Sequence, residues 1–438
     1  MSNESANAVT DHPSTGAAQA HADAPDNPAE NGFDRGIAAR LNRISIAILL
    51  ALAIAFVAAV QSATGLSDST TSQVSEGRLG GDFPAFYAAG AIALDGDFDE
   101  LYVAERQRAE QVGLGLDGYL AFAYPPYVAV GYAPLAALSF RAGYALHTLL
   151  MAGALVGALA LLRKPVPIIG QYWLPSIAAS LAFYPVFRAV GGGQNTAITI
   201  LLIAAVWRFL DDDRDLAAGI AAGLLLFRPQ YALPLIGLMA LSRRWRAVGG
   251  AAGVGAALWL ATASFMGSSW VTRWLDQVVP FVETDAEVNA GNSISILGFL
   301  HAVLGSDSSL ALVVGLMGAS LVAGLLSWIW LHPERFDLPA RMGVAAMGML
   351  LMSPHTMFYD AGLLTVAACA FLASHTGDGL SGRTLGVLGA GWVAVLVHPL
   401  FAESLRATPL ALVVLGLFIL FAHHHVGPHF KALGVQHA

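Results

Sequence analysis

Charged residues are scarce in this chain. Only 12% of its 438 residues are Asp, Glu, Lys or Arg, and 56% are hydrophobic, with a mean hydropathy of +0.63. Soluble globular domains carry about 25% charged residues. This composition excludes an ordinary soluble domain and predicts an all-α, polytopic membrane protein.

Cysteine and lysine are almost absent. The single cysteine, Cys369, lies in an apolar run, which excludes a disulfide framework and a cysteine-based metal site. The two lysines are Lys164 and Lys431. The remaining basic residues are arginines that form no basic stripe interleaved with aromatic residues, so the pattern gives no indication of nucleic-acid binding.

The N-terminal segment 1–43 is rich in Ala, Asn, Asp, Pro and Ser. It has too little apolar surface to order itself, and we expect a disordered tail. The apolar run that follows, about 44–64, starts too far into the chain for an ordinary signal peptide. The arginines that precede it predict an uncleaved first span with a cytoplasmic N-terminus in the inner membrane.

Residues 44–425 are expected to form one transmembrane domain of about 12 helices, followed by a cytoplasmic tail, 426–438. Two long connections, 65–125 and 267–307, fall on the outer side. After the first span, further spans are predicted at about 142–162, 172–190, 196–210, 247–266, 308–331, 340–353, 359–374, 384–400 and 409–425.

The segment 124–140 poses a topology question, because it is apolar but contains three prolines. If it crosses the membrane, Arg163 and Lys164 fall outside; if it only dips into the outer leaflet, they fall inside. The positive-inside rule favours the second interpretation. Another apolar stretch surrounds Arg228 and is too short for two crossings, so we expect a hairpin of two short helices that lines a cavity.

The stretch from Gly80 to Tyr102 is the predicted centre of the site. Asp82 precedes aromatic residues and a run of small apolar residues at helical spacing. A carboxylate placed there suits a general base that acts on a sugar or lipid hydroxyl. The alternative is that Asp82 caps the helix that follows it.

Other ionisable residues at membrane depth are candidates because their insertion is costly. Arg188, Arg228 and His355 are predicted to hold a phosphate and to stabilise its charge as it leaves. Each also has a structural alternative. Arg188 would snorkel to the membrane interface, Arg228 would pin the hairpin, and His355 would be an interfacial histidine with its hydrogen bonds satisfied. Asp360 also suits an internal hydrogen-bond partner. The predicted substrate contacts are Tyr87, Tyr124, Gln194, Asn195, Tyr359 and Asp360.

Five segments, in order, resemble glycosyltransferase family 87, whose members have the C-type glycosyltransferase fold. The segments are DFPAFYAAGAIALDGDFDELY, YPPYVAVGYAPL, GGGQNTAITILLIAAVW, RDLAAGIAAGLLLFRPQYALPLIGLMALSRRWRAV and SPHTMFYD. The resemblance covers roughly 40–425. Where the family usually has Lys-Pro in its hairpin, this chain has Arg228-Pro229, which keeps the charge and changes its geometry.

The resemblance implies a polyprenyl-phosphate sugar donor, usually mannose, and a glycolipid or polysaccharide acceptor at the outer (periplasmic) face. It also implies inversion at the anomeric carbon, with Asp82 as the general base. No cofactor is implied, no metal site is expected, and the sequence leaves open a divalent ion. A lipid or lipid-linked-sugar flippase is the competing hypothesis, because broken helices and buried charges also fit transporters. A non-catalytic scaffold is a third.

Overall fold

The computed structural model describes residues 28–65, 80–114, 120–374, 381–401 and 405–432. Within these ranges the regular secondary structure is helical. A single antiparallel bridge between Ser293 and Met357 is the exception. The prediction of an all-helical protein is therefore confirmed for the described residues.

Twenty α-helices follow one another along these ranges. The first ten are α1 (Pro28–Gly65), α2 (Phe83–Asp95), α3 (Ala104–Gly113), α4 (Pro126–Ala136), α5 (Phe140–Leu162), α6 (Pro167–Gln171), α7 (Trp173–Leu181), α8 (Tyr184–Gly191), α9 (Thr196–Asp211) and α10 (Asp215–Leu224). The second ten are α11 (Pro229–Leu241), α12 (Trp245–Met266), α13 (Trp270–Val288), α14 (Ile296–Leu304), α15 (Ser309–Leu331), α16 (Leu338–Met352), α17 (Leu364–Ala373), α18 (Gly382–Ala394), α19 (Val397–Phe401) and α20 (Leu410–Ala432).

Five helical segments in the described part are long and apolar enough to cross a membrane. They are Ala39–Ser62, Phe140–Leu162, Trp245–Met266, Ser309–Leu331 and Gly382–Phe401. The helices α7 and α8, bent by 68° at their junction, add a sixth if they form one broken span. The chain is a multi-pass membrane protein; the larger number of about 12 spans stays a prediction.

The first helix differs from the prediction in its start. It begins at Pro28, inside the segment expected to be disordered, and continues without a break to Gly65. Proline is well tolerated in the first turn, since its missing N–H is unpaired there in any case. Residues 1–27 lie outside the described residues.

The connection 124–140 forms the short helix α4, and both of its ends contact α2. Tyr124 lies 5.0 Å from Phe86 between ring centroids, and Phe140 lies 5.4 Å from Phe83. Eleven residues at 1.5 Å per residue span about 16 Å, which is much less than a bilayer core. This geometry agrees with a segment that does not cross the membrane.

Four connections meet at one end of the bundle, here called the site face. They contain Gly80–Asp82, Gly192–Asn195, Arg228 and Ser353–Asp360. Backbone hydrogen bonds join the first two, since Gly80 N donates to Gly191 O (3.1 Å) and Asp82 N donates to Gly192 O (2.9 Å). The end where α9 and α11 finish, at Asp211 and Leu241, is the opposite face.

The aromatic start of α2 fixes this helix in a small core of its own. Phe83 is fully buried and packs against Tyr144 of α5, with ring centroids 5.5 Å apart. Phe86 stacks on Tyr132 of α4 at 4.6 Å. Gly96, in the left-handed conformation (φ 79°), ends the helix as its C-cap. Burial of these rings holds the residue just before α2, Asp82, at a fixed position.

Candidate active site

Asp82 occupies the N-cap position of α2 but does not cap the helix. Its side chain accepts no hydrogen bond from the first turn, so the capping alternative is wrong. Instead, the carboxylate accepts a hydrogen bond from Nε2 of Gln194, 112 residues further along the chain. The carboxylate is therefore directed away from the helix backbone.

Asp82 is enclosed by protein but keeps some solvent exposure. It precedes α2 and lies outside the candidate spans. Burial, which disfavours the charged form, raises the pKa of this carboxyl to about 6. The hydrogen bond from Gln194 opposes that rise. A carboxyl with a pKa close to neutrality suits a general base, because it accepts a proton readily once it is ionised.

Gln194 connects Asp82 to Arg228. Its Oε1 accepts a hydrogen bond from Nη2 of Arg228 at 3.3 Å, while its Nε2 donates to Asp82. A flipped amide would place oxygen against carboxylate and NH₂ against guanidinium, so the two neighbours define its orientation. Gln194 is only 4% exposed, which keeps this arrangement rigid.

Arg228 is 3% exposed and uses its whole guanidinium within the protein. Nη1 forms an ion pair with Asp360, and Nε donates to Asn195 Oδ1 at 2.8 Å. Nη2 also donates to the hydroxyl of Tyr124 at 3.2 Å. Phosphate binding by this arginine remains a prediction, and so does a role in pinning the hairpin. The contacts of Arg228 within the protein fit the structural role.

Asp360 is the counter-ion in this network. Besides the ion pair, its Oδ1 accepts from Thr196 Oγ1 at 3.2 Å, and its Oδ2 accepts from Met357 N at 3.2 Å. These bonds tie the start of α9 to the short 3₁₀ helix Phe358–Leu363. A buried ion pair of this kind needs such additional hydrogen bonds to offset its desolvation.

A second acidic residue, Asp285 of α13, faces the site and was missed by sequence reasoning. Its Oδ2 lies 3.3 Å from Nδ1 of His355, and its Oδ1 accepts from Asn289 Nδ2 at 2.7 Å. Its negative charge adds to the rise in the Asp82 pKa. Several carboxylates occur on α13, and no sequence signal distinguished this one.

Arg188 lies in the last turn of α8, beside an apolar cavity of about 260 Å³ between α1, α5 and α8. Its lining includes Leu49, Phe56, Tyr144, Leu149, Phe187 and Arg188. The guanidinium lies 5.9 Å from the centre of the Phe358 ring, and its Nε has no hydrogen-bond partner in the described part of the chain. Gly191 and Gly192, which bond the Gly80–Asp82 connection, form part of the same wall.

The structure brings most of the predicted site residues together. Asp82, Gln194, Arg228, Asn195, Tyr124 and Asp360 form one connected group. Tyr359 interacts electrostatically with Asp82 and Arg228. Tyr87 lies apart from this hydrogen-bonded group, because its hydroxyl donates to the Leu138 carbonyl at 2.8 Å. Across the described ranges, no three His, Cys, Asp or Glu residues are placed to hold a metal ion.

The fold and site define a multi-pass membrane protein with a buried polar network around one accessible carboxylate, and comparison with known proteins identifies its class as a membrane glycosyltransferase. The model of glycosyltransferase family 87 matches residues 122–354, which is more than half of the chain, and the chain belongs to this family.

A curated relative from Mycolicibacterium smegmatis is a polyprenol-phosphate-mannose-dependent alpha-(1-2)-phosphatidylinositol pentamannoside mannosyltransferase. It is 25% identical over 281 residues, which cover 60% of this chain and 63% of the relative. The chain thus matches less than two thirds of that protein's length. No solved structure matches the chain.

Proposed function

We propose that this protein transfers a hexose, mannose in the first instance, from a polyprenyl-phosphate sugar to an acceptor hydroxyl at the outer membrane face. The observation that carries the proposal is the Asp82 carboxylate, partly desolvated, still accessible to solvent, and oriented by Gln194. The family and the donor named for the M. smegmatis relative support the choice of donor and of a glycolipid acceptor. A C-type fold of about 12 spans belongs to the same proposal.

The proposed reaction is a single displacement. The acceptor oxygen attacks the anomeric carbon of the sugar while Asp82 takes the hydroxyl proton. The bond between the anomeric carbon and the phosphate oxygen breaks at the same time, and polyprenyl phosphate leaves with its electron pair. Attack opposite the leaving group inverts the anomeric centre. No redox cofactor enters this balance.

The charge that grows on the leaving phosphate requires cationic groups close to it. Arg188 suits this role because its guanidinium has an unused Nε–H. It also lines the cavity together with Gly191 and Gly192, which are hydrogen-bonded to the Gly80–Asp82 connection. His355, which faces Asp285, would be a second donor when protonated. Arg228 acts mainly by positioning, since Asp360 already neutralises it.

The apolar cavity beside Arg188 is assigned in this proposal to the first isoprene units of the donor. Its walls are made by aliphatic and aromatic side chains of α1, α5 and α8, which match a hydrocarbon chain. Arg188 would then meet the phosphate where the chain ends. Because α1 and α5 are candidate spans, the hydrocarbon could enter the cavity from the bilayer.

The test is sugar transfer by the purified protein in reconstituted membranes. Radiolabelled polyprenyl-phosphate mannose and a total lipid extract would be supplied to wild type and to Asp82→Asn. Loss of a general base typically costs 10²–10⁴-fold in rate, so the variant should lose transfer while it still folds. Asp99→Asn, at a carboxylate whose side chain is 90% exposed, is the matched control and should retain activity.

Transfer by Asp82→Asn at the wild-type rate would refute the role of Asp82. Movement of intact labelled donor across the membrane, without a new glycosylated product, would support the flippase hypothesis instead. The stereochemistry of the product, read by NMR, tests inversion independently of the identity of the base.

A further inference from the structure

Two arginines in the described part of the chain are almost completely buried, and they differ in whether a carboxylate pairs with them. Arg228 on the site face has a carboxylate and several hydrogen-bond acceptors. Arg341, in the first turn of α16, is 6% exposed. Its Nε has no hydrogen-bond partner, and no ion pair joins its guanidinium to the described residues.

The Arg341 guanidinium lies over an aromatic ring. The guanidinium carbon lies 5.4 Å from the centre of the Trp330 ring. That ring is fixed, since its Nε1 donates to Arg341 O at 3.2 Å and Ser242 Oγ donates to Trp330 O at 2.8 Å. Stacking on tryptophan favours a guanidinium but supplies no acceptor for its buried Nε–H.

Neighbouring charges do not supply the missing counter-ion. Asp337 attracts Arg341 at longer range, but its Oδ1 is engaged as the cap of α16 and accepts from Ala340 N at 2.9 Å. Arg244 repels Arg341 and is itself paired with Asp213 and Asp215, at 3.2 and 2.7 Å. The guanidinium is therefore a buried cation without a bonded anion, an arrangement that native proteins rarely keep.

The position of Arg341 indicates where the missing anion would come from. Trp330 lies one residue before the end of α15, which is a candidate membrane span, and Ser242 directly follows α11. Arg341 is therefore at the opposite face, beside the end of a candidate membrane span. Its place near the start of α16 adds the positive end of a helix dipole.

We propose that Arg341 binds the phosphate of an anionic membrane lipid, on the face opposite the active site. A phosphate offers two oxygens to the planar guanidinium and supplies the absent negative charge. Trp330 would lie against the guanidinium, and the ends of α11 and α15 would surround the headgroup. This site is separate from Asp82 and does not depend on the proposed transfer reaction.

The experiment compares lipid binding by the full-length protein and its variants. Wild type, Arg341→Met and Arg341→Lys are purified in detergent, and retained phosphatidylglycerol is measured by native mass spectrometry. Loss of a charged hydrogen-bond pair should weaken retention about tenfold or more in Arg341→Met. Arg341→Lys should be intermediate, because it keeps the charge without the planar fork. The matched control is Arg335→Gln, an exposed arginine paired with Glu334, which should bind as wild type does.

Thermal unfolding gives an independent readout and separates the sources of phosphate. Phosphatidylglycerol should raise the unfolding temperature of wild type and leave that of Arg341→Met unchanged, while inorganic phosphate should have little effect on either. If inorganic phosphate raises the unfolding temperature of wild type and Arg341→Met abolishes this effect, the phosphate site at Arg341 stands, but its ligand is the free ion and not a lipid. Equal lipid retention and equal thermal protection in wild type and Arg341→Met would overturn the proposal.

Discussion

Gln194 donates a hydrogen bond from its side-chain amide to the Asp82 carboxylate, while Arg228 holds the other end of the same amide. The base of the proposed reaction is thus oriented through a neutral side chain, which separates it from a cation already paired with Asp360. A direct Asp82–Arg228 ion pair would lower the pKa of the carboxyl and weaken it as a base. The amide keeps the geometry without that cost.

The pH dependence of transfer should therefore respond in opposite directions to two substitutions. Asp82 acts only when ionised, so the rate should fall about tenfold per pH unit below its pKa of about 6 and level off above it. Asp285→Asn removes a like charge, lowers the Asp82 pKa and should move the acid limb to lower pH. Gln194→Leu removes the hydrogen bond that favours the carboxylate and should move the limb to higher pH. Rate profiles from pH 4 to 8 measure both, and shifts of the same sign would contradict this account.

The buried Arg228–Asp360 pair should show strong coupling in a double-mutant cycle. Arg228→Met leaves a buried carboxylate alone, and Asp360→Asn leaves a buried guanidinium alone, so each should cost about 3–5 kcal/mol of stability. The double variant should lose much less than the sum of the two. Unfolding in detergent measures this. The exposed pair Arg273–Asp99 is the matched control and should show little or no coupling. Additive losses at Arg228 and Asp360 would argue against the ion pair.

Two neighbouring glycines should respond very differently to alanine. Gly193 has φ 71°, and a Cβ there would lie 2.6 Å from Phe83 N, against the start of α2. Gly193→Ala should cost about 1–3 kcal/mol from the backbone conformation alone. It should also reduce transfer, because it displaces the helix that carries Asp82. At Gly191 an added Cβ meets nothing within 4 Å, so Gly191→Ala should behave as wild type in thermal unfolding. Equal effects at both positions would show that the close approach is unimportant.

Arg188 should control the affinity for the donor more than for the acceptor. In the proposed function, Arg188→Gln removes one charged contact to the phosphate and should raise the KM for the donor about tenfold or more. The KM for the acceptor should stay unchanged. Arg141→Gln, at an exposed position near the start of α5, is the control. Initial rates with each substrate varied in turn give both constants, and a change confined to the acceptor KM would place the donor phosphate elsewhere.

Much of the scaffold follows from the sequence because it depends on local patterns. Apolar runs of about 20 residues predict α5, α12 and α15 to within two residues at each end. The helix α2 follows from its small apolar residues, and Gly96 ends it by adopting the left-handed conformation. Arg228-Pro229 marks the break in the hairpin between α10 and α11. The membrane class and the family resemblance also follow from the sequence, since composition and short motifs carry them.

The connections within the site were decided by the tertiary structure. Gln194 reaches Asp82 across 112 residues, and Arg228 reaches Asp360 across 132. Pairings at such separations depend on how helices of different lengths and tilts pack, which no local pattern encodes. For the same reason no local pattern indicates that Asp285 faces His355, or that Arg341 is buried without a bonded counter-ion. The sequence by itself determined which charged residues are costly to place in this bundle, and packing alone decided which of them would be neutralised by a partner.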